Sequence, residues 1–151
     1  MITWYCDEET CIKFSEEPHI DIRYIKPSDE ESTIKNIEKK PFVLKNNIKI
    51  FLINFIEQEE YNFEIAANYC WDGATIPKIF YRLIGANTDN RFLIASMVHD
   101  ILCENHEIVN DDRYFSTVVF ERLLYVSKVS PFKRWLMKHS VDNYQKIKGN
   151  W

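Results

Sequence analysis

A histidine and an aspartate stand side by side at positions 99 and 100, within the segment MVHDILCENH. A neutral imidazole can take a proton from water when a carboxylate bound to its second ring nitrogen fixes its tautomer. Adjacent residues on a helix point about 100° apart, so Asp100 is poorly placed to be that carboxylate. Asp111 and Asp112 begin the next predicted helix, and antiparallel packing would return one of them to His99. The pattern predicts an acid–base site with His99 as the base.

The same helix also offers ligands for a metal ion. Residues four apart share a helix face, so Cys103 lies one turn beyond His99, and His106 lies roughly one turn further. Imidazole and thiolate groups suit zinc, which makes these three side chains an alternative zinc site with a fourth ligand, such as Cys70, from elsewhere. Asp100 stays available to a cation or to a polar substrate group. The competing explanation is structural, because buried histidines are usually hydrogen-bonded and aspartates favour helix starts.

The connection before this helix, CWDGATIPKIF, has the composition of a shaped turn. Asp-Gly favours a turn, and the proline at position 77 pushes the residue before it towards extended backbone. Composition alone describes only a turn. Because this turn precedes the helix that carries His99, we expect its residues to line a pocket together with Asp100. These residues are Asp72, Gly73, Thr75 and Pro77.

The first half of the chain, to about residue 75, has the pattern of strands. Apolar residues alternate on both sides of Asn46-Asn47, and Asn tolerates the positive φ of a tight turn, which predicts a hairpin there. The charged stretch 27–41 predicts a surface loop or a short exposed helix. An antiparallel meander is the simplest topology. One face of a further strand over 61–66 carries Tyr61, Phe63 and Ile65.

The second half, from about residue 76, has helical periodicity and predicts three helices. The segment 91–107 has apolar residues three and four apart with no glycine or proline. Asn110 is the predicted cap of a second helix, and Ser130 followed by Pro131 opens a third that runs to Gly149. The predicted fold class is α+β in a single domain over residues 1–151: antiparallel strands and hairpins, then three helices of which the first two pack antiparallel.

Composition narrows the partners and the compartment. The net charge is −4, and no segment combines a run of basic residues with interleaved aromatic residues, the pattern of a surface that binds a phosphate backbone. We therefore expect no nucleic-acid partner. A small molecule or a protein is the expected partner, and self-association stays open. The chain shows neither a signal peptide nor an eighteen-residue apolar window, which predicts a cytoplasmic protein without a transmembrane segment. Four cysteines without a CxxC pair predict free, partly buried thiols.

Three motifs and the end of the chain together resemble a known family. They are DGATIP at 72–77, VHDILC at 98–103, DDRYF at 111–115 and the terminal YQKIKGNW. The resemblance is to domain-of-unknown-function family 1353, found in phages and prophages, and it covers about residues 60 to 151. Cys103 replaces the family's usual tyrosine, and Asn68 replaces an expected glycine. The matching residues are Asp72, Gly73, Ala74, Thr75, Pro77, Ala95, His99, Asp100, Leu102, Asp112 and Phe115.

The His-Asp pair followed by an aspartate on a second helix is also similar to the arrangement in phospholipases A2. Carried over by position, His99 would activate water, Asp100 would bind calcium, and Asp112 would orient His99. This likeness implies ester hydrolysis and makes calcium the candidate ion, ahead of zinc. The glycine-rich calcium loop and the supporting disulfides of those enzymes are absent from this sequence.

Two functions of different classes follow from the sequence. The first is a small phage-type hydrolase in which His99 and Asp112 are catalytic. The second is a non-enzymatic phage or prophage protein, either a virion or assembly component or an antagonist of a host factor. In the second, the His/Asp cluster is structural and the active surface lies elsewhere, so association with the virion stays open beside a place in the host cytoplasm.

Overall fold

The computed structural model describes residues 4–22, 42–71 and 90–148. The predictions for the 27–41 stretch, for Asp72, Gly73, Thr75 and Pro77, and for the end at Gly149 lie outside the described residues. Within them, strands precede helices, which confirms the α+β class. The strands are β1 (Trp4–Cys6), β2 (Thr10–Phe14), β3 (Ile20–Ile22), β4 (Phe42–Leu44), β5 (Ile48–Asn54), β6 (Glu59–Ile65) and β7 (Cys70–Trp71). The helices are α1 (Asn90–Glu104), α2 (Arg113–Val126) and α3 (Pro131–Lys148), with one 3₁₀ turn, His106–Val109, between α1 and α2.

The strands form two antiparallel sheets, with orders β1-β2-β5-β6 and β3-β4-β7. In β5, alternate residues are buried because successive side chains on a strand point to opposite faces. Its buried set contains Ile48, Ile50 and Leu52. On β6 the same alternation places Tyr61, Phe63 and Ile65 against the hydrophobic core, as the sequence predicted.

The predicted hairpin at Asn46-Asn47 is wrong, and so is the simple meander. β4 and β5 flank this pair, but they belong to different sheets. The two side chains tie the crossover to other segments: the Asn46 carboxamide oxygen accepts from His19 N at 2.8 Å, and that of Asn47 accepts from Ala67 N at 2.7 Å. The tight hairpin joins β5 to β6 instead, where Gln58 takes the positive φ of 55°.

Two of the four cysteines are joined, which corrects the prediction of four free thiols. Cys6 and Cys11 are direct cross-strand neighbours in the β1–β2 hairpin, with Cα atoms 4.1 Å apart, and they form a disulfide. Directly opposed antiparallel positions bring side chains within bonding reach although the cysteines are five residues apart in sequence. Cys70 and Cys103 are free.

One hydrophobic cluster spans sheets and helices, and α1 contributes six of its buried residues. Most of α1 from Leu93 to Leu102 is buried, and α1 packs against α2 as predicted. The Trp71 indole N–H donates to the Ser96 hydroxyl at 3.1 Å and thereby fixes β7 to this helix. Within the described ranges, no helix is both long and apolar enough to cross a membrane.

Candidate functional site

His99 lies inside the helical layer and not on its surface. Only 8% of the residue is exposed, and the Phe120 ring of α2 lies 5.1 Å from the imidazole between ring centres. Burial removes water from the charged form and lowers the pKa of His99 to about 4. The imidazole is therefore neutral at pH 7.

The polar partners of His99 are a thiol and an amide. Cys103 Sγ lies 3.6 Å from Nδ1 and 3.8 Å from Nε2 of His99, one helical turn along α1. From α3, Gln145 Nε2 lies 3.5 Å from His99 Nε2 and donates to Cys103 Sγ at 3.2 Å. These three side chains, the His99 cluster, join α1 to α3. An amide N–H₂ can only donate, so His99 Nε2 is the acceptor for Gln145 in this orientation, in which the Gln145 Oε1 atom is buried without a partner among the described residues.

The Cys103 thiol is as poor an ion as the imidazole beside it. Burial, with a smaller contribution from the charge of Asp100, raises the pKa of Cys103 to about 12. A thiolate–imidazolium pair of the kind that activates cysteine nucleophiles is therefore disfavoured. The His99 cluster is a neutral hydrogen-bonded group.

Asp112 uses its carboxylate to start α2. Its Oδ1 accepts from Phe115 N at 3.0 Å, which is the side-chain bond of an N-cap residue. The predicted cap, Asn110, is wrong by two residues because Asn110 closes the 3₁₀ turn in the left-handed region. Among the described residues, no hydrogen bond joins Asp112 to His99. The predicted catalytic pair is thus not brought together by a hydrogen bond.

The His-Asp pair that does form is His106 with Asp111. The His106 Nδ1 and an Asp111 carboxylate oxygen are in hydrogen-bond contact, and the side chains are 48% and 66% exposed. This contact lies in the connection between α1 and α2, where Asn110 and Asp111 have φ of 54° and 60°. His106 therefore does not join His99 and Cys103, which overturns the zinc trio. In the part of the chain that the structure describes, no three His, Cys, Asp or Glu side chains are grouped to hold a metal ion.

The family of the chain follows from a comparison with known protein families. A family model described as protein of unknown function (DUF1353) matches residues 52–141, which run from β5 into α3. The chain belongs to the DUF1353 family. No curated protein and no solved structure matches it.

Gln145 is the residue of this DUF1353 chain that the sequence analysis missed. It lies on α3 four residues beyond Val141 and eight beyond Met137, and all three are buried. A glutamine that continues an apolar stripe must find hydrogen bonds in the core, so this spacing was a usable signal. Its partner could not be read from the sequence, because 46 residues separate it from His99.

Proposed function

We propose that this DUF1353 chain is a non-catalytic phage or prophage protein that acts by binding a protein partner with an acidic surface. The observation that carries the proposal is the structural use of both predicted catalytic side chains. His99 is sealed among three helices with neutral partners, and the Asp112 carboxylate caps α2. Three cavities lined by described residues lie elsewhere, and His99 lines none of them.

An exposed aromatic patch on α3 supports binding to a partner. Phe132 and Trp135 are 58% and 57% exposed and, three residues apart, share one helix face. The His139 ring lies 4.6 Å from that of Trp135 between ring centres. Large aromatic side chains left in water cost free energy, and tryptophan is enriched among the residues that dominate binding interfaces. We call Phe132, Trp135 and His139 the α3 aromatic patch.

Charge around this patch favours an acidic partner. Residues 127–141 carry Lys128, Lys133, Arg134 and Lys138 and no Asp or Glu, within a chain of net charge −4. Positive charge next to aromatic anchors accelerates encounter with a surface of opposite sign and excludes basic partners. The partner class that fits is a protein presenting carboxylates around an apolar pocket.

A crossed comparison of variants tests the proposal. Phe132→Ser/Trp135→Ser removes the patch, and His99→Gln removes the imidazole; each is expressed in a phage or prophage deleted for the native gene, after circular dichroism shows that it is folded. We expect the patch variant to lose most of the wild-type contribution to infectious particle yield, and His99→Gln to retain it. Phe55→Ser/Ile56→Ser is the matched control, because it removes an exposed apolar pair, 44% and 58% exposed, from the β5–β6 turn. The reverse pattern, with His99→Gln inactive and the patch variant active, contradicts the proposal.

The second candidate is the His/Asp hydrolase, because the neutral imidazole of His99 is the protonation state that a general base requires; its pKa of about 4 makes it a weak base. The turn residues that would line its pocket, Asp72 to Pro77, lie outside the described residues. Hydrolysis of a short-chain phospholipid with and without calcium, lost in folded His99→Gln, would support this candidate over partner binding.

A further inference from the structure

We propose that the junction of α2 and α3 is a binding site for a small organic oxyanion, a phosphate or carboxylate attached to an apolar group. The site is an open cavity of about 580 Å³, within the range of small-molecule sites in proteins. It lies apart from the His99 cluster, which contributes none of its described lining residues. The inference does not rest on the proposed partner, because a small anion needs no protein to carry it.

The cavity combines three cationic side chains with apolar walls. Arg122, Lys128 and Arg134 line it, and no Asp or Glu is among its described lining residues. Tyr5 and Tyr125 supply aromatic surface beside them. Guanidinium and ammonium groups are the usual protein ligands of phosphate and carboxylate, and aromatic walls suit an apolar body attached to the anion.

The two arginines are held in place before any ligand arrives. The guanidinium carbons of Arg122 and Arg134 lie 4.4 Å and 4.8 Å from the centre of the Tyr125 ring. Arg122 donates to the Cys6 carbonyl at 2.6 Å and lies 3.5 Å from an Asp7 carboxylate oxygen. Arg134 donates to Glu121 at 3.3 Å. Held side chains lose little entropy when they bind, which favours affinity.

Positive charge is nevertheless left over at this junction. Asp7 and Glu121 offset two of the three cations. Lys128 is exposed and has no ion-pair partner in the described part of the chain, so the cavity keeps a net positive charge.

Lys128 occupies a backbone position that glycine fits better. Its φ is 63°, in the left-handed region just after α2. Lys128 N donates to Tyr125 O at 2.9 Å and Val129 N to Leu124 O at 3.0 Å, which is the paired-bond termination in which glycine usually holds this place. A lysine here is tolerated at a steric cost, and Lys128 is one of the residues that line the cavity. Lys128→Gly therefore removes the charge without strain on the fold.

Titration of the full chain with phenyl phosphate at low ionic strength, followed by amide chemical shifts in NMR, tests the inference. We expect saturable shifts confined to residues around Tyr125 to Arg134, with weaker binding of inorganic phosphate because it lacks the apolar group. Benzoate, which carries a carboxylate, should bind at the same place, and benzylamine, a cation of similar shape, should not bind. O-phosphotyrosine free and within a short capped peptide distinguishes a metabolite from a protein side chain as the source of the anion.

Variants then decide whether the built cavity or general positive charge is responsible. We expect Arg134→Gln and Lys128→Gly each to weaken phenyl phosphate binding at least fivefold. Lys133→Gln, which removes a neighbouring cation outside the described lining, should leave the affinity within twofold of wild type. Equal losses in all three variants, shifts spread over other basic residues, equal binding of benzylamine, or no saturable shift with any anion would overturn the inference.

Discussion

The burial of His99 makes its protonation oppose folding. The pKa falls from 6.5 to about 4 because the ring is removed from water, so between these values the unfolded chain holds a proton that the folded chain does not. The free energy of unfolding is therefore highest above pH 6.5 and falls as the pH falls towards 4. The loss attributable to His99 is about 3 kcal/mol once the pH lies below both values.

Urea unfolding at several pH values checks this prediction. Carboxylates also titrate in this range, so the wild type is compared with His99→Gln, in which every carboxylate is retained. The difference in unfolding free energy between the two proteins should shrink by about 3 kcal/mol as the pH falls from 7 to 4. If the two stability curves run parallel, the imidazole is accessible to water and the structural role of the His99 cluster is wrong.

The carboxylate of Asp112 explains why the predicted bond between Asp112 and His99 does not form. The sequence correctly predicts that Asp112 lies at the start of a helix beyond His99, because local capping rules apply there. It does not state which donor that carboxylate meets. The nearest donors without a partner are the first N–H groups of its own helix, and Phe115 N donates to the Asp112 carboxylate. Whether side chains on two helices pair depends on how each helix is rotated about its axis, and the local sequence of either helix does not determine that rotation.

The beginning of α2 is where the two roles of Asp112 can be separated. If the carboxylate caps the helix, Asp112→Asn should keep the unfolding free energy within about 0.5 kcal/mol, since Asn caps as well as Asp, while Asp112→Ala should lose about 1 kcal/mol. Thermal or urea unfolding measures both. If Asp112 instead orients His99, Asp112→Asn should lose as much activity as Asp112→Ala, and both variants should keep the unfolding free energy of the wild type.

Elements whose pattern is local were predicted best. α3 begins at Pro131 as the Ser-Pro start indicates, and the apolar periodicity of α1 follows from its own residues. Strand pairing was predicted worst, because Asn46-Asn47 has the composition of a turn and gives no sign that β4 and β5 join different sheets. The prediction of free thiols at Cys6 and Cys11 was wrong for the same reason, since only the β1–β2 register brings these two cysteines opposite each other.

At the scale of the whole molecule, the two proposed binding surfaces share one stretch of the chain. Apart from Tyr5, the described residues of the α3 aromatic patch and of the oxyanion cavity all lie between Arg122 and His139, whereas the His99 cluster is formed by α1 and α3. The basic and aromatic surface of this stretch is therefore distinct from the buried, neutral His99 cluster. Substitutions on the exterior are expected to change binding, and those in the interior to change stability.

The enclosure of α1 has a consequence for how the protein opens. Because most of α1 from Leu93 to Leu102 is buried in the hydrophobic core, with α2 packed against it and β7 bonded to it through Trp71 and Ser96, its amides can meet water only when the elements around it separate. We expect hydrogen–deuterium exchange of the amides from Met97 to Leu102 to require the full free energy of unfolding and to share one urea dependence, while the outer amides of α3 exchange through smaller openings. Faster exchange in α1 than in β5 would contradict this. For this chain, exposure of α1 and loss of the native state are then one and the same event.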